Sequence, residues 1–241
     1  MKFLIVGATG AVGSSILIRL RKLGHEVHAI ARDHDKLRSL AEEHDISYSI
    51  ADVLDTKQLC EAIQCAGDKL QGAAYCVGSI RLAPFSKLSH DDFLAEYRLN
   101  ALGAVTTLQA ALPALRNNQQ SPSSIVLFSS VAANQGFSGH ASTAMAKGAI
   151  EALTLSLAAE FAPYVRVNCI APSLLETPLS QKFLTSETMS NAIKQLHPLQ
   201  RLGTADDVAA LACFLLSCDA SWITGQVIGV DGGRSTLRTK G

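Results

Sequence analysis

Gly7, Gly10 and Gly13 punctuate the stretch Gly7-Ala8-Thr9-Gly10-Ala11-Val12-Gly13, which directly follows an apolar run and opens a helical pattern. Such glycines let a backbone turn sharply and come close to a pyrophosphate, whose charge then rests on the amides of the helix N-terminus. A tight turn that binds nothing uses the same residues. A second group lies in mid-chain. Ser130 ends the run Ile125-Val126-Leu127-Phe128-Ser129-Ser130, and 13 residues later comes Thr143-Ala144-Met145-Ala146-Lys147. Residues four apart share a helix face, so the Thr143 hydroxyl and the Lys147 ammonium lie one turn apart on one side. His140, just upstream, is of the residue type that moves protons near neutral pH. A loop histidine also serves as a packing or surface residue. Arg32 follows Ala29-Ile30-Ala31. A guanidinium suits a 2′-phosphate, because it offers two parallel charge-assisted hydrogen bonds. The alternative is a solvated turn residue beside Asp33, which caps the next helix.

These groups need a scaffold, and the hydrophobic pattern supplies one. Strands are predicted at Lys2–Val6, Glu26–Ala31, Ile46–Ala51, Ala73–Val77, Ser124–Phe128, Val165–Ile170 and Gln226–Val230. Helical patterns fall between them at residues 12–23, 34–44, 56–66, 90–113, 141–162 and 205–217. Short apolar strands alternating with helices imply a parallel sheet covered on both faces. The expectation is an α/β fold, a single doubly wound Rossmann-like domain over residues 1–241 with a parallel seven-stranded sheet. Ser173–Pro198 has no strand character and is expected to form a substrate lid, 173–198. Asn117–Ser123 is expected as a polar surface loop, Trp222 as a packing residue near the last strand, and the tail from Arg234 as fraying.

Composition narrows the function classes. Apolar residues make up 48% of the 241, enough for a large core, and charged residues only 17%. Lys+Arg and Asp+Glu both number 21, so the net charge is zero, and no basic cluster points to a nucleic acid or an anionic membrane. No apolar run is long enough to span a bilayer, and the start is too short for a signal peptide. Six scattered cysteines read as reduced core thiols, and no Cys/His spacing suggests a metal site. The chain is expected to be cytoplasmic, with a small-molecule substrate and no metal.

The spacing of Ser130, Thr143 and Lys147 resembles the short-chain dehydrogenase/reductase family, whose last stretch reads Tyr-x-x-x-Lys with the tyrosine as acid/base. The resemblance spans almost the whole chain. It implies that Ser130 hydrogen-bonds a substrate carbonyl, that Lys147 holds the nicotinamide ribose, and that Asn100, in Tyr97-Arg98-Leu99-Asn100, holds a water of the proton relay. It implies a cofactor loop of Gly7, Thr9, Gly10, Ala11, Val12 and Gly13, although the conventional branch has Gly-x-x-x-Gly-x-Gly and this chain Gly-x-x-Gly-x-x-Gly. Asp52-Val53 resembles the Asp-Val pair at the adenine, and an ordinary loop aspartate is the alternative. Val77-Gly78 ends Tyr75-Cys76-Val77-Gly78, where the family has Asn-Asn-Ala-Gly. Arg166-Val167-Asn168-Cys169-Ile170-Ala171-Pro172-Ser173 carries serine for the family's glycine, which narrows the nicotinamide site or alters its turn, and Thr177 of Thr-Pro-Leu is placed at the carboxamide. Such proteins form dimers or tetramers, and Ala101–Leu115 and Ala149–Ala162 offer helical faces for one.

Thr143 does not replace a tyrosine like for like. A phenol has a pKa near 10, while an aliphatic hydroxyl is about as weak an acid as water, roughly 15.7. The gap is worth roughly 8 kcal/mol, more than a neighbouring ammonium supplies. His140, Tyr97 or Tyr75 is the alternative donor, or none exists. The expected function is an NADP(H)-dependent oxidoreductase acting on a carbonyl or alcohol, with NAD the less favoured cofactor. A nucleotide-binding sensor or scaffold that has lost the redox step is the alternative, and a lyase or isomerase on the same fold a third.

Overall fold

The structure, a computed structural model, describes residues 1–118 and 121–239; Gln119 and Gln120 of the expected loop and the last two residues of the tail lie outside them. Its strands are β1 (Lys2–Val6), β2 (Glu26–Ala31), β3 (Ser47–Ile50), β4 (Gly72–Tyr75), β5 (Ser123–Phe128), β6 (Val165–Pro172) and β7 (Val227–Val230). Its helices are α1 (Ala11–Lys22), α2 (His34–His44), α3 (Thr56–Gln64), α4 (His90–Tyr97), α5 (Gly103–Arg116), α6 (Ala141–Phe161), α7 (Glu187–Gln195) and α8 (Ala205–Leu216). The strands form one parallel sheet in the order β3-β2-β1-β4-β5-β6-β7. The chain builds outward from β1 to β3, returns to the middle at β4, and builds outward again to β7. Such a reversal leaves a crevice at the carboxyl ends of the central strands. The expected single doubly wound domain is what forms.

The period of two along each strand divides the core between the faces. Leu4 and Val6 join Leu59, Leu108, Ile125 and Leu127 on one face, under α3 and α5. Phe3 and Ile5 join Ile16, Leu17, Val208 and Leu215 on the other, under α1 and α8. Each fully buried Leu or Ile adds roughly 1.5–3 kcal/mol of burial free energy.

Four expectations shift. The helix expected over 90–113 is α4 and α5 joined by a widened turn at Arg98–Leu102. There the Asn100 side-chain amide donates to the Glu96 carbonyl at 2.9 Å, and a side chain entering the helical ladder opens it. β4 stops at Tyr75, so Cys76 and Val77 begin the following loop. β6 runs on to Pro172 because Ala171 and Pro172 align with Gly229 and Val230 of β7. Trp222 packs on nothing: it is 98% exposed. Among the described residues no helix is long and apolar enough to cross a membrane.

Candidate active site

The glycine loop closes at the crevice. Gly7 has φ +85°, a left-handed conformation that favours glycine, and its N–H bonds the Ile30 carbonyl of β2 at 2.8 Å. A Cβ added at Gly13 would lie 2.3 Å from the Gly7 carbonyl oxygen, so the first turn of α1 presses on the loop with no room for a side chain. Gly10 caps α1 without a side-chain acceptor, and no acidic residue stands in its first turn. The amides of Ala11, Val12 and Gly13 are thus left for an anion, which suits a dinucleotide pyrophosphate. Asp33 accepts from the Lys36 amide at 3.2 Å and caps α2, while Arg32 beside it is exposed at the end of β2. Asp52 accepts from the Leu54 amide at 2.9 Å, making a tight turn at the end of β3, and Val53 behind it is buried. Val77 leans on the loop: a Cβ at Gly7 would meet its Cγ2 at 2.9 Å.

Side chains of the α4–α5 turn and α6 converge on the β4 loop beside this floor. A Cβ at Gly78 would sit 3.1 Å from Asn100 Oδ1 and 3.2 Å from Lys147 Nζ, so both polar ends meet the same bare backbone. Asn100 is 1% exposed and, among the described residues, its Oδ1 has no hydrogen-bond partner. A buried unpaired oxygen is costly and marks a place where a ligand or water belongs. Lys147 Nζ donates to the Phe128 carbonyl at 2.9 Å, and burial lowers its pKa to about 8. Burial also holds its neighbours Cys76 and Cys169 protonated, pushing Cys169 up to about 12. Ser130, half-buried at the end of β5, accepts from the Ala132 amide at 3.2 Å and keeps its own proton to give.

Thr143 shares the α6 face of Lys147 but turns away into the protein. It is 3% exposed, and its hydroxyl accepts from the Arg81 amide at 3.1 Å and lies 3.1 Å from Glu96 Oε2. It therefore anchors the loop after β4 to α6. Glu96 is itself buried, and Ser79 donates to its other oxygen at 2.7 Å.

A family profile described as enoyl-(acyl carrier protein) reductase matches residues 7–235. The chain belongs to the short-chain dehydrogenase/reductase family. A tropinone reductase homolog of Arabidopsis thaliana is 32% identical, covering 97% of this chain and 92% of its own. A short-chain dehydrogenase/reductase from Mycobacterium ulcerans superposes with a TM-score of 0.91 at 29% identity, over 98% of this chain and 90% of that one. A gluconate 5-dehydrogenase from Burkholderia cenocepacia, solved with NADP and tartrate, superposes at 0.89 with 25% identity, over 98% and 96%. The protein is thus an oxidoreductase by family, and its relatives are dehydrogenases and reductases.

In this dehydrogenase/reductase the three alternative proton donors are placed differently. Tyr75 is buried, donates to the Leu99 carbonyl at 2.6 Å, and is pushed well above the usual phenol pKa by burial. Its hydroxyl fills the space above Gly103, where a Cβ would come within 2.1 Å, so it is committed to packing. Tyr97 packs against the core on the α5 face of the sheet. His140 binds the Ser138 carbonyl through Nδ1 at 2.9 Å and stacks edge-on against Phe137. It lines a cavity of about 330 Å³ with Phe85, Phe137 and Ala144.

Ser173, which stands where the family has glycine, hydrogen-bonds His197 Nε2 at 2.8 Å. His197 Nδ1 donates to the Ile193 carbonyl, so the Ser173 hydroxyl is the donor to Nε2, and burial lowers the imidazole pKa. The pair ties the end of β6 to the end of α7 and borders a second cavity of about 350 Å³. Thr177 is half-buried, its amide on Ser180 Oγ at 3.1 Å, and Pro172 ends β6. Among the described residues no cluster of His, Cys, Asp or Glu is arranged for a metal. Sequence reasoning missed Ser79, Glu96 and His197. The available signal for Glu96 was its position four residues before Asn100 on a predicted helix, hence on the same face.

Proposed function

We propose that this protein is an NADP(H)-dependent oxidoreductase of a small carbonyl or alcohol substrate. The observation that carries the reading is the meeting of Lys147 Nζ and the unpaired Asn100 Oδ1 at Gly78, beside an α1 N-terminus without a side-chain cap. The nicotinamide would supply the hydride. Gly7, Thr9, Gly10 and the amides of Ala11, Val12 and Gly13 are read as the pyrophosphate floor. Asp52, Val53 and Val77 would border the adenine end, and Pro172 and Thr177 the carboxamide end. Lys147 would hold the ribose and Ser130 would orient the substrate oxygen. Arg32, exposed with no acidic partner in an ion pair among the described residues, is read as the 2′-phosphate contact.

The segment 173–198, with α7 and the Ser173–His197 anchor, is read as the substrate lid. The exposed Met145 and Leu155 on α6 fit a homodimer or homotetramer, which light scattering would test. The unbonded thiols fit a reducing compartment, read as the cytoplasm, and fractionation would check it.

The test is fluorescence titration with NADPH and NADH, followed by turnover assays on simple aldehydes and ketones. NADPH should bind about tenfold tighter or more. Equal affinities would remove the assignment to Arg32. The buried, fully bonded Thr143 favours one second reading, a sensor or scaffold subunit, for which binding without turnover is the signature.

A further inference from the structure

Among the described residues Glu96 is the one buried acidic side chain, 6% exposed. Neither of its oxygens has a Lys or Arg within ion-pair distance; Arg81, in the loop after β4, pairs instead with Asp92 at 2.7 Å. Its partners are two hydroxyls, Ser79 on Oε1 at 2.7 Å and Thr143 on Oε2 at 3.1 Å. Ser79 accepts in turn from the Asn100 amide at 3.0 Å, and the same amide bonds the Glu96 main-chain carbonyl at 2.9 Å. An acid buried without a cationic partner is a poor structural ion pair, because its desolvation is not offset by a contact charge. Held by hydroxyls beside a cleft, it is placed to take and give protons.

The cluster opens toward the site in one direction. Thr143 is buried, whereas Ser79 is half-buried and directly follows Gly78, the residue against which Asn100 Oδ1 and Lys147 Nζ converge. The charged groups placed about this cluster are Lys147 on α6, whose ammonium Glu96 favours, the Arg81–Asp92 pair of the loop and α4, and Lys182, whose Nζ donates to the Ile80 carbonyl at 2.9 Å.

We propose that Ser79 and Glu96 are the proton relay of this site, with Thr143 fixing the far carboxylate oxygen. This rests on the oxidoreductase reading above. In alcohol oxidation the substrate O–H bond breaks and its proton bonds to Ser79 Oγ, directly or through one water. The proton that Ser79 held shifts to Glu96 Oε1, giving a carboxylic acid. The carbinol hydrogen leaves with its electron pair to an oxidised nicotinamide, and the C=O bond forms. Carbonyl reduction runs the same transfers backward, with the carboxylic acid as proton source. Glu96 acts through Ser79 and is a positioning residue, and Ser79 is the group that meets the substrate or its water.

Glu96→Gln keeps the shape and both hydroxyl contacts but cannot carry the proton. With cyclohexanone and benzaldehyde as probes, kcat should fall about 100-fold or more in Glu96→Gln and similarly in Ser79→Ala. NADPH affinity should stay within about twofold of wild type in both, a shift of under about 0.5 kcal/mol. Glu96→Asp should recover part of the rate. Infrared titration should find a protonated-carboxyl band in the wild type, absent from Glu96→Gln, whose midpoint matches the pH midpoint of kcat. Wild-type kcat and pH profile in Glu96→Gln would overturn the relay, as would a mismatch of the two midpoints. Wild-type protein that binds NADPH yet reduces neither probe overturns the relay and leaves the cofactor reading standing. Failure to bind NADPH sinks the reading on which the relay depends. Should Glu96→Gln not fold, Ser79→Ala and Glu96→Asp decide by the same readouts.

Discussion

The glycine loop and the α4–α6 pocket sit side by side at the carboxyl end of one sheet, yet they are built from different material. The loop is made of backbone: amides left open by an uncapped α1, and two glycines where any Cβ would strike the Gly7 carbonyl or Val77. The pocket is made of side-chain ends, with Lys147, Asn100, Ser79, Glu96 and Thr143 each placed by a partner on another element. A backbone site tolerates the shifted glycine spacing so long as the close approaches stay bare. A side-chain site is rewired by one substitution, and Thr143 turned toward Glu96 is such a rewiring. At the helix ends, α2, α3, α4, α7 and α8 carry side-chain caps, whereas α1, like α5 and α6, does not.

The largest single loss belongs to the loop. Gly13→Val would drive a side chain into the Gly7 carbonyl, where the Cβ alone sits at 2.3 Å. We expect it to cost roughly 3 kcal/mol and weaken NADPH about 100-fold. Near-native binding in a calorimetric titration would break the backbone account.

Next comes Thr143→Val, nearly isosteric, which leaves the Arg81 amide and one Glu96 oxygen without a partner. Urea unfolding should show a loss of about 1–3 kcal/mol with NADPH affinity kept. An unchanged midpoint would mean that Thr143 is not the loop's anchor.

A smaller effect follows the Lys147 proton. Burial puts its folded pKa near 8, below the 10.5 of the unfolded chain. Between those values the unfolded state holds the extra proton, so the contribution of Lys147 to stability rises with pH across that window. The penalty for burying the ammonium is fully present below about pH 8. The stability deficit of wild type relative to Lys147→Met should therefore shrink from about pH 8 to about pH 10.5 in denaturant titrations. NADPH affinity should fall through the same lower limit as the ammonium is lost, and a flat profile would remove Lys147 from the ribose.

The smallest change is at the exposed Arg32. Arg32→Ala should lower NADPH affinity about tenfold and leave NADH unchanged, and equal losses for both would assign Arg32 a merely structural place.

The local parts of this protein were legible along the chain. Strand runs, the glycine loop, and the four-residue step from Thr143 to Lys147 are written in neighbouring residues, where hydrophobic period and backbone sterics act. Asp33 was weighed as a helix cap on the same local grounds, and it caps α2. Trp222 was misjudged, and the Ser173 partner was not foreseen, because their surroundings come from elsewhere in the chain. His197 lies 24 residues from Ser173, and nothing near Trp222 in sequence says that its ring faces outward.

The sequence by itself determined the doubly wound sheet, the glycine loop between β1 and α1 and the absence of a phenol at position 143. Only the tertiary structure decided what the threonine does there. Its amide donor Arg81 lies 62 residues away and its acid partner Glu96 47 residues away. No local pattern encodes such pairs. They exist because the sheet brings the β4 loop, α4 and α6 together at its carboxyl end, where buried polar groups must find partners in one another.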